Sequence, residues 1–172
     1  MRSARWLFVG IITLFACSTY GAASVERADV PMRDASGSDL GSLTIMNGAG
    51  GLLLSGSLRG LPPGIHGIHV HAVGQCQPPF ASAGGHWNPM SRMHGTMNPD
   101  GPHFGDMANI SVSPDGASIV NVQTAGGTLR GTYGLLDEDG AAVVIHAGPD
   151  DYRTDPAGNS GARIACGVVR GH

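Results

Sequence analysis

The sequence of 172 residues contains no lysine, and all ten of its basic residues are arginines. Charged residues make up 13% of the chain and aromatic residues 5%, and the formal net charge is -3, so the charge pattern gives no indication of a nucleic-acid partner. No apolar run reaches the length of a membrane-spanning helix. Glycine is abundant, at 28 residues, which is typical of a loop-rich β protein rather than a helical bundle. The length suits a single domain with a substantial core.

The N-terminus has the pattern of a targeting segment. Two arginines within the first five residues precede an apolar run over residues 6–16, and small residues follow at 21–23. A basic start, a short apolar stretch and small residues near the cleavage point indicate a secretory signal peptide. We therefore expect a signal peptide over residues 1–23 and one mature domain over residues 24–172, exported to the periplasm.

A lipoprotein signal is the alternative for the same segment. Residues 14–17 read Leu-Phe-Ala-Cys, which resembles a bacterial lipobox whose cysteine is lipidated and becomes the new N-terminus. Cys17 would then tether the protein to a membrane, facing the periplasm or the cell surface. In both cases the chain leaves the cytoplasm and Cys17 stays outside the folded core.

The two remaining cysteines, Cys76 and Cys166, are separated by most of the domain. In an exported protein such a pair indicates one disulfide. Closing a loop of about 90 residues would stabilise the fold by about 4–5 kcal/mol in the chain-entropy model, before any native strain is subtracted. Two free buried thiols are the alternative.

The pattern along the chain predicts strands and no helices. Short apolar or alternating runs recur between turn sequences such as GAGG at 48–51 and PDG at 114–116. This pattern predicts an all-β antiparallel sandwich or barrel. The predicted strands cover residues 26–34, 41–47, 52–58, 65–71, 109–112, 118–123, 142–146 and 163–169. Residues 72–107 and 147–162 are too long for hairpin turns, so we expect two functional loops.

One predicted strand carries a pair of candidate metal ligands, His69 and His71. Side chains two apart on a strand point to the same face, so the two imidazoles face one way while Ile68 and Val70 face the core. Neutral imidazole binds copper, zinc, iron and nickel. The pair therefore predicts one side of a metal site, although it is weak evidence alone.

Five further candidate ligands complete two possible sites. His94, His103 and Asp106 lie in the first long loop with His86 just before them, and three imidazoles with one carboxylate suit tetrahedral zinc. His69, His71 and His146, with one more nitrogen, would suit tetragonal copper. Two sites of four ligands built from seven residues require one shared ligand, and His86 is the candidate for a bridging imidazolate.

The sequence around these residues resembles the copper/zinc superoxide dismutases. The similar stretches are GIHGIHVH at 64–71, SAGGHWNP at 82–89, HG at 94–95, HFGD at 103–106, VVIHA at 143–147, DDYRTDP at 150–156 and GNSGARIACGV at 158–168. They follow the family's order with matching intervals between ligands, over essentially the whole mature chain. The variant resembles the bacterial, exported type.

The resemblance implies a fold, two metals and a set of site residues. It implies an eight-stranded antiparallel Greek-key sandwich or barrel that binds one copper and one zinc per subunit. It implies Asp150 as the carboxylate that links a copper histidine to a zinc histidine, Arg163 as the arginine that attracts and orients superoxide, and Cys76 with Cys166 as the family disulfide. The implied copper ligands are His69, His71, His86 and His146, and the implied zinc ligands are His86, His94, His103 and Asp106.

The reaction implied by the resemblance is dismutation of superoxide to oxygen and hydrogen peroxide, which protects the cell envelope from oxidative damage. In this scheme copper is alternately reduced and oxidised, His86 leaves copper and takes a proton when copper is reduced, and zinc is structural. The resemblance leaves open whether the protein is a monomer or a homodimer.

Other functions have less support from the sequence. An exported copper/zinc storage or delivery protein on the same fold would be expected to lack a copper ligand or Arg163, and neither is missing. A zinc hydrolase on a TIM barrel needs about 250 residues, and no acidic ligand closely follows His71. A purely structural β-sandwich has no need for seven candidate ligands.

Four residue-level expectations depart from the family or concern histidines outside the ligand set. Without lysine, attraction of superoxide must come from Arg163, Arg153, Arg92 and the metals, so we expect a rate that depends on salt. Trp87 replaces a common phenylalanine and should require repacking. His66 is expected to be a hydrogen-bonded structural residue, and the terminal histidine to be inert.

Overall fold

The computed structural model describes residues 26–171, so the predicted signal segment, Cys17 and His172 lie outside the described residues. Within this range the one helical element is a single 3-10 turn, and no helix is long and apolar enough to span a membrane. The strands are β1 (Arg27–Asp34), β2 (Asp39–Asn47), β3 (Leu52–Leu58), β4 (Gly64–His66), β5 (Ile68–His71), β6 (Ile110–Val112), β7 (Ser118–Gln123), β8 (Ala142–His146), β9 (Arg163–Val168) and β10 (Arg170–Gly171).

Eight of the strands form one curled antiparallel sheet, in the order β5-β8-β9-β1-β2-β3-β7 with β10 paired to β1. The short strands β4 and β6 form a separate antiparallel pair. Strands β1, β2 and β3 are joined as consecutive hairpins, whereas β3 pairs with β7 and β5 pairs with β8 across long connections. This is a Greek-key arrangement, and it confirms the predicted all-β antiparallel fold.

The two faces of β5 differ in chemistry, as strand alternation predicts. Ile68 and Val70 lie in the hydrophobic core, while His69 and His71 point to the other face and are buried there. Strand β8 follows the same rule, because Ile145 belongs to the core and His146 lies on the histidine face. Buried aliphatic side chains of the core include Val30, Leu43, Leu54, Leu58 and Val120.

The predicted strand over residues 65–71 is broken at Gly67, so the prediction of one continuous strand was wrong. Its first half pairs with β6 and its second half pairs with β8, because the chain passes from one sheet to the other at this point. The Gly67 amide donates to the Gly148 carbonyl (2.8 Å), and the Gly67 carbonyl accepts from the His146 amide (2.9 Å). The break therefore ties the start of β5 to the end of β8.

Strand β8 ends in an irregularity that positions its histidine. The pairing with β9 shifts register between Ile145 and His146, and His146 then lies opposite Arg163. Bulges of this kind redirect side chains and are common beside active sites. The shift brings the last residue of β8 and the first residue of β9 to the same end of the sheet.

The first long loop runs along the outer edge of β5. The Val70 amide donates to the Gly105 carbonyl (3.0 Å), and the Val70 carbonyl accepts from the Trp87 amide (2.8 Å). Further along the strand, the Ala72 amide donates to the Gly85 carbonyl (3.0 Å). The loop segments that carry the remaining candidate ligands are therefore held against the strand that carries His69.

A disulfide joins Cys76 in the first long loop to Cys166 on β9, with 5.7 Å between the two Cα atoms. It connects residues 90 positions apart. The predicted disulfide is confirmed, and the alternative of two free thiols was wrong. The bond anchors the start of the loop to the sheet.

Candidate metal centre

Four buried histidines bring one ring nitrogen each to a common point, with all four atoms within 4.8 Å of one another. These nitrogens have no hydrogen-bond partner within residues 26–171. A buried polar atom without a partner is costly, so four that converge indicate a ligand set for a metal ion. The atoms are Nδ1 of His69 and Nε2 of His71, His86 and His146.

The opposite ring nitrogens fix the orientation of these histidines. His71 Nδ1 lies 2.9 Å from the Gly84 carbonyl oxygen, and His146 Nδ1 lies 3.1 Å from the Gly161 carbonyl oxygen. A carbonyl can only accept, so in each ring Nδ1 carries the proton and Nε2 presents its lone pair to the centre. Such outer partners hold metal-binding histidines in the required tautomer.

The second cluster groups three ring nitrogens around one carboxylate oxygen. Oδ1 of Asp106 lies 2.8 Å from His86 Nδ1, 3.1 Å from His94 Nδ1 and 3.3 Å from His103 Nδ1. A tetrahedron with metal–ligand bonds of about 2.0 Å has edges of about 3.3 Å, which these separations approach. The spacing and the donor types therefore fit zinc.

Asp106 is fixed in this position by its second oxygen. Oδ2 accepts hydrogen bonds from the backbone amides of Gly95 (2.8 Å) and His103 (3.0 Å). These bonds leave Oδ1 directed at the three imidazoles. The short loop over residues 103–106 thus carries two ligands and orients one of them with its own backbone.

His86 belongs to both clusters. Its Nε2 is one of the four unpartnered nitrogens, and its Nδ1 faces Asp106. The predicted shared ligand is therefore placed between the two sets.

Asp150 links the two clusters a second time. Its Oδ2 accepts from His69 Nε2 at 2.9 Å, and its Oδ1 accepts from His94 Nε2 at 2.9 Å. The first histidine belongs to the four-nitrogen set and the second to the set around Asp106. The structure thus places Asp150 where the sequence predicted the linking carboxylate.

The sequence profile of the copper/zinc superoxide dismutase family matches residues 40–169. The chain belongs to this family. It is 43% identical over 148 residues to copper/zinc superoxide dismutase 2 of Aquifex aeolicus, covering 84% of this chain and 86% of that protein. It is 42% identical over 139 residues to the enzyme of Caulobacter vibrioides, covering 78% of this chain and 80% of that protein. A solved SOD-like protein from Bacillus subtilis superposes with a TM-score of 0.77 at 41% identity, covering 81% of this chain and 96% of that one.

Membership in the copper/zinc superoxide dismutases makes the chain an oxidoreductase that acts on superoxide, as the sequence predicted. The two His/Asp clusters fit the two metals of the family. The family assignment gives no support to the hydrolase or the purely structural alternative.

Arg163 of this superoxide dismutase is held over the cavity that leads to His86. Its Nη1 donates to the Phe80 carbonyl (2.7 Å), and its Nη2 donates to the Gly84 carbonyl (2.6 Å). The Gly84 carbonyl is also the partner of His71 Nδ1. Arg163 and His86 both line a cavity of about 340 Å³. The guanidinium can therefore meet an anion that approaches the shared histidine.

The other two arginines predicted to attract substrate lie in different surroundings. Arg92 lines the same cavity as Arg163, and its amide and carbonyl are both bonded to the Asn88 side chain (3.0 and 2.8 Å). Arg153 is not among the residues that line this cavity. Asp155 is a lining residue, so the cavity wall also carries one negative charge.

Two residues that support Asp150 were not identified from the sequence. The Asn109 side chain donates to the Asp150 carbonyl (2.9 Å) and accepts from the Asp150 amide (2.8 Å). Gly158 has φ +60°, and a Cβ there would collide with Asp150 Oδ1 and lie 2.7 Å from His94 Nε2. Neither residue is of a type expected to bind these metals, and their contacts with Asp150 depend on how the loop folds. The sequence alone therefore could not have identified them.

His66 and Trp87 agree with their predicted structural roles. The two ring nitrogens of His66 lie 2.8 Å from the His146 carbonyl and 2.9 Å from the Pro62 carbonyl, so the ring connects two backbone segments. The larger ring of Trp87 packs against Gly127, where a Cβ would collide with it. The absence of a side chain at Gly127 thus leaves room for the indole ring.

The electrostatics of His94 are opposite to those of the histidines in the four-nitrogen set. Burial lowers the pKa of His71 to about 2, and it lowers the pKa values of His86 and His146 to about 4. Burial also acts against charge on His94, but hydrogen bonds to Asp106 and Asp150 outweigh it and raise the pKa of His94 to about 9. The four-nitrogen set is therefore kept neutral, as metal ligands must be.

Proposed function

We propose that the chain dismutates superoxide with one copper and one zinc per subunit. The copper would be held by His69, His71, His86 and His146, and the zinc by His86, His94, His103 and Asp106. The observation that carries the proposal is the convergence of four unpartnered, buried ring nitrogens beside a cavity that Arg163 and His86 both line.

The donor chemistry fits these two metals. Four imidazole nitrogens suit copper, and three imidazoles with one carboxylate at tetrahedral separations suit zinc. Bound copper would supply one-electron redox chemistry, and bound zinc would supply a fixed positive charge.

Arg163 binds and orients the anionic substrate in this proposal. Its guanidinium is anchored to two backbone carbonyls, and no carboxylate within residues 26–171 forms an ion pair with it, so its positive charge is fixed in the cavity. A rigid cation attracts a small anion and lowers the entropy lost when the anion is positioned.

His86 has the proton-handling role. Its Nδ1 is engaged toward Asp106, while Nε2 has no partner within residues 26–171, and His86 lines the same cavity as Arg163. His86 Nε2 can therefore hold a proton and deliver it to a reduced oxygen species bound near Arg163.

An exported copper/zinc storage or delivery protein on the same fold is the competing function. Storage requires the ligands but not a fixed cation over an open cavity. The double anchorage of Arg163 favours turnover over storage.

The test is superoxide decay measured by pulse radiolysis on the mature protein loaded with copper and zinc. We expect fast catalysed decay that is absent from the zinc-only protein. The variant Arg163→Ala should lose about tenfold or more in rate, since one charge-assisted contact contributes about 1.5 kcal/mol or more. Arg153→Ala is the matched control and should change little. If protein with spectroscopically confirmed copper did not catalyse decay, storage would replace turnover.

We also propose that residues 1–23 direct export and that residues 24–172 form the mature enzyme. The support is the basic, apolar and small-residue order of the segment and the disulfide, which persists in oxidising compartments. Mass spectrometry of the mature N-terminus tests this. Cleavage near residue 23 supports the signal peptide, a lipidated Cys17 supports a membrane tether, and an intact N-terminus contradicts export by either route.

A further inference from the structure

A cavity of about 230 Å³ opens beside the disulfide and contains none of the candidate metal ligands among its lining residues. Both cysteines line it, together with the Phe80 ring and two arginines, Arg33 and Arg170. The disulfide therefore forms part of the wall of a small cavity that is lined by both apolar and positively charged residues.

The charge of this cavity is positive. Arg33 and Arg170 are both exposed at its rim. Asp34 also lines it, but the carboxylate of Asp34 accepts hydrogen bonds from the Ser36 amide (2.8 Å) and the Ser38 amide (2.9 Å) of its own turn. A small molecule that enters therefore meets two guanidinium groups and one carboxylate that is already engaged.

Strand register places one of these arginines opposite a cysteine, and the Arg33 Nη1 donates to the carbonyl of Gly37 (2.9 Å), which lines the same cavity. Arg33 on β1 is the cross-strand partner of Cys166 on β9. Directly opposite residues project from the same face, with Cβ atoms about 5 Å apart. A guanidinium that shares a small cavity with a cysteine stabilises the thiolate form and makes that sulfur a better leaving group.

The two sulfurs differ in access from solvent. Cys76 is partly exposed, whereas Cys166 has 2% of its surface exposed. Cys76 is therefore the more accessible residue for an incoming nucleophile, and Cys166 would be the sulfur that leaves.

We propose that this cavity is a thiol–disulfide exchange site for a small thiol that carries carboxylate groups. The thiol loses its proton to solvent, and its thiolate attacks Cys76 Sγ. A new sulfur–sulfur bond forms to Cys76, the bond between Cys76 and Cys166 breaks, and its electron pair leaves on Cys166 as a thiolate. The carboxylates of the thiol pair with Arg33 and Arg170, and the apolar part contacts Phe80.

Exchange at this position has a consequence for the metal centre, which rests on the proposed function. The carbonyls that anchor Arg163 belong to Phe80 and Gly84, in the loop that Cys76 ties to β9. Opening the disulfide removes the covalent tie at the start of that loop. The cavity thus couples an external thiol to the position of Arg163.

The experiment follows mixed-disulfide formation by mass spectrometry on the metal-loaded protein, so it does not depend on dismutase activity. The probes are mercaptosuccinate, which carries two carboxylates, and monothioglycerol, which is uncharged. Arg170→Gln should reduce the rate of mixed-disulfide formation with mercaptosuccinate about threefold to fivefold, because one exposed ion pair contributes up to about 1 kcal/mol. The rate with monothioglycerol should not change. Arg33→Gln should slow both probes, since it also removes the cation opposite the leaving cysteine.

Control variants keep the proposal falsifiable. Arg59→Gln removes an arginine that lines a different hollow and should change neither rate. Arg33→Lys, which keeps the charge, should recover most of the rate lost in Arg33→Gln. If Arg33→Gln and Arg170→Gln left the mercaptosuccinate-to-monothioglycerol rate ratio at the wild-type value, the cavity would not be an anion site. An adduct found on Cys166 instead of Cys76 would overturn the assigned direction of attack.

Discussion

The two ligand sets share one histidine but are supported in different ways. Three of the four residues in the proposed copper set lie on the paired strands β5 and β8, whose inner faces are part of the core. All four residues of the proposed zinc set lie in the loop over residues 72–107. The strand-borne set is held by the sheet, and the loop-borne set is held by its own contacts.

The strand-borne and loop-borne sets also differ in the charges of their side chains. The strand-borne histidines point unpartnered nitrogens at one another, which only a rigid backbone can maintain. The loop-borne residues surround the Asp106 carboxylate, and hydrogen bonds from His103, His86 and His94 overcome the effect of burial and hold the pKa of Asp106 far below its usual range. Paired strands can hold neutral histidines in position through the backbone alone. The loop residues are held together by attraction to the negative charge of Asp106.

The largest expected effect comes from removing a strand-borne ligand. His146→Ala should abolish copper binding and reduce dismutase activity to that of the copper-free protein. The loop-borne set does not include His146, so cobalt should still bind there with a tetrahedral absorption spectrum. Loss of cobalt binding in this variant would show that the two sets are not separately supported.

The next effect concerns the carboxylate at the centre of the loop-borne set. Asp106→Asn should lower the free energy of unfolding of the metal-free protein by about 3 kcal/mol, because it breaks a buried charged cluster. Urea unfolding measures this. Asp155→Asn is the matched control in the neighbouring loop and should cost about 1 kcal/mol, since it weakens one hydrogen bond to the His94 amide.

Asp150 is the residue through which the two sets should affect each other. Asp150→Ala should weaken binding of both metals by about 10–100-fold, as is usual for residues that orient metal ligands. Gly158→Ala should have the same double effect, because the new methyl would displace Asp150 from His94. Competition with chelators of known affinity measures both constants, and a loss confined to one metal would argue against a linking role.

The pH dependence of the metal-free protein should show the two sets acting in opposite directions. Below the unfolded value of 6.5, His71, His86 and His146 take up protons more readily when unfolded, so stability falls as pH decreases toward about 4. His94, whose folded pKa is raised to about 9, contributes stability that is lost as pH rises from 6.5 through that value. The urea concentration at the unfolding midpoint should therefore be highest near pH 6.5. A midpoint that only rises or only falls with pH would contradict the opposite effects of His94 and the other three histidines.

The smallest effect tests how the lysine-free surface guides substrate to the strand-borne set. The rate should fall as ionic strength rises, because exposed charges are screened over about 8–10 Å at physiological salt. Arg92→Gln should reduce the low-salt rate about twofold to threefold, since Arg92 lines the cavity. Arg153→Gln should have a smaller effect, because Arg153 lies outside the lining. If the two variants reduced the low-salt rate equally, lining the cavity would not be what allows an arginine to attract the substrate.

The parts of the centre that depend on strand geometry could be predicted from the sequence. Alternation placed His69 and His71 opposite the core residues Ile68 and Val70, and the structure agrees. The remaining ligands were grouped by the donor types that zinc and copper prefer and then by resemblance, because residues of a loop have no fixed spacing that sets the direction of their side chains. The two clusters bring those residues together.

Features that depend on how distant segments meet could not be predicted. The strand break at Gly67 follows from bonds to Gly148 and His146, which lie about 80 residues further along the chain. The space that Gly158 leaves for Asp150 exists only once the second loop has packed against His94. A glycine in the sequence does not reveal which side chain will occupy its missing Cβ position.

The hydrogen bonds between the first loop and β5 have a consequence for solubility. β5 is the last strand on its side of the sheet, and such a strand offers free backbone groups to another chain. Here the segments that bring His86 and Asp106 to the metals also occupy that edge, through bridges opposite His71 and His69. The loop backbone therefore covers an edge that would otherwise be available for pairing with another chain, and it does so with the same segments that carry two of the candidate metal ligands.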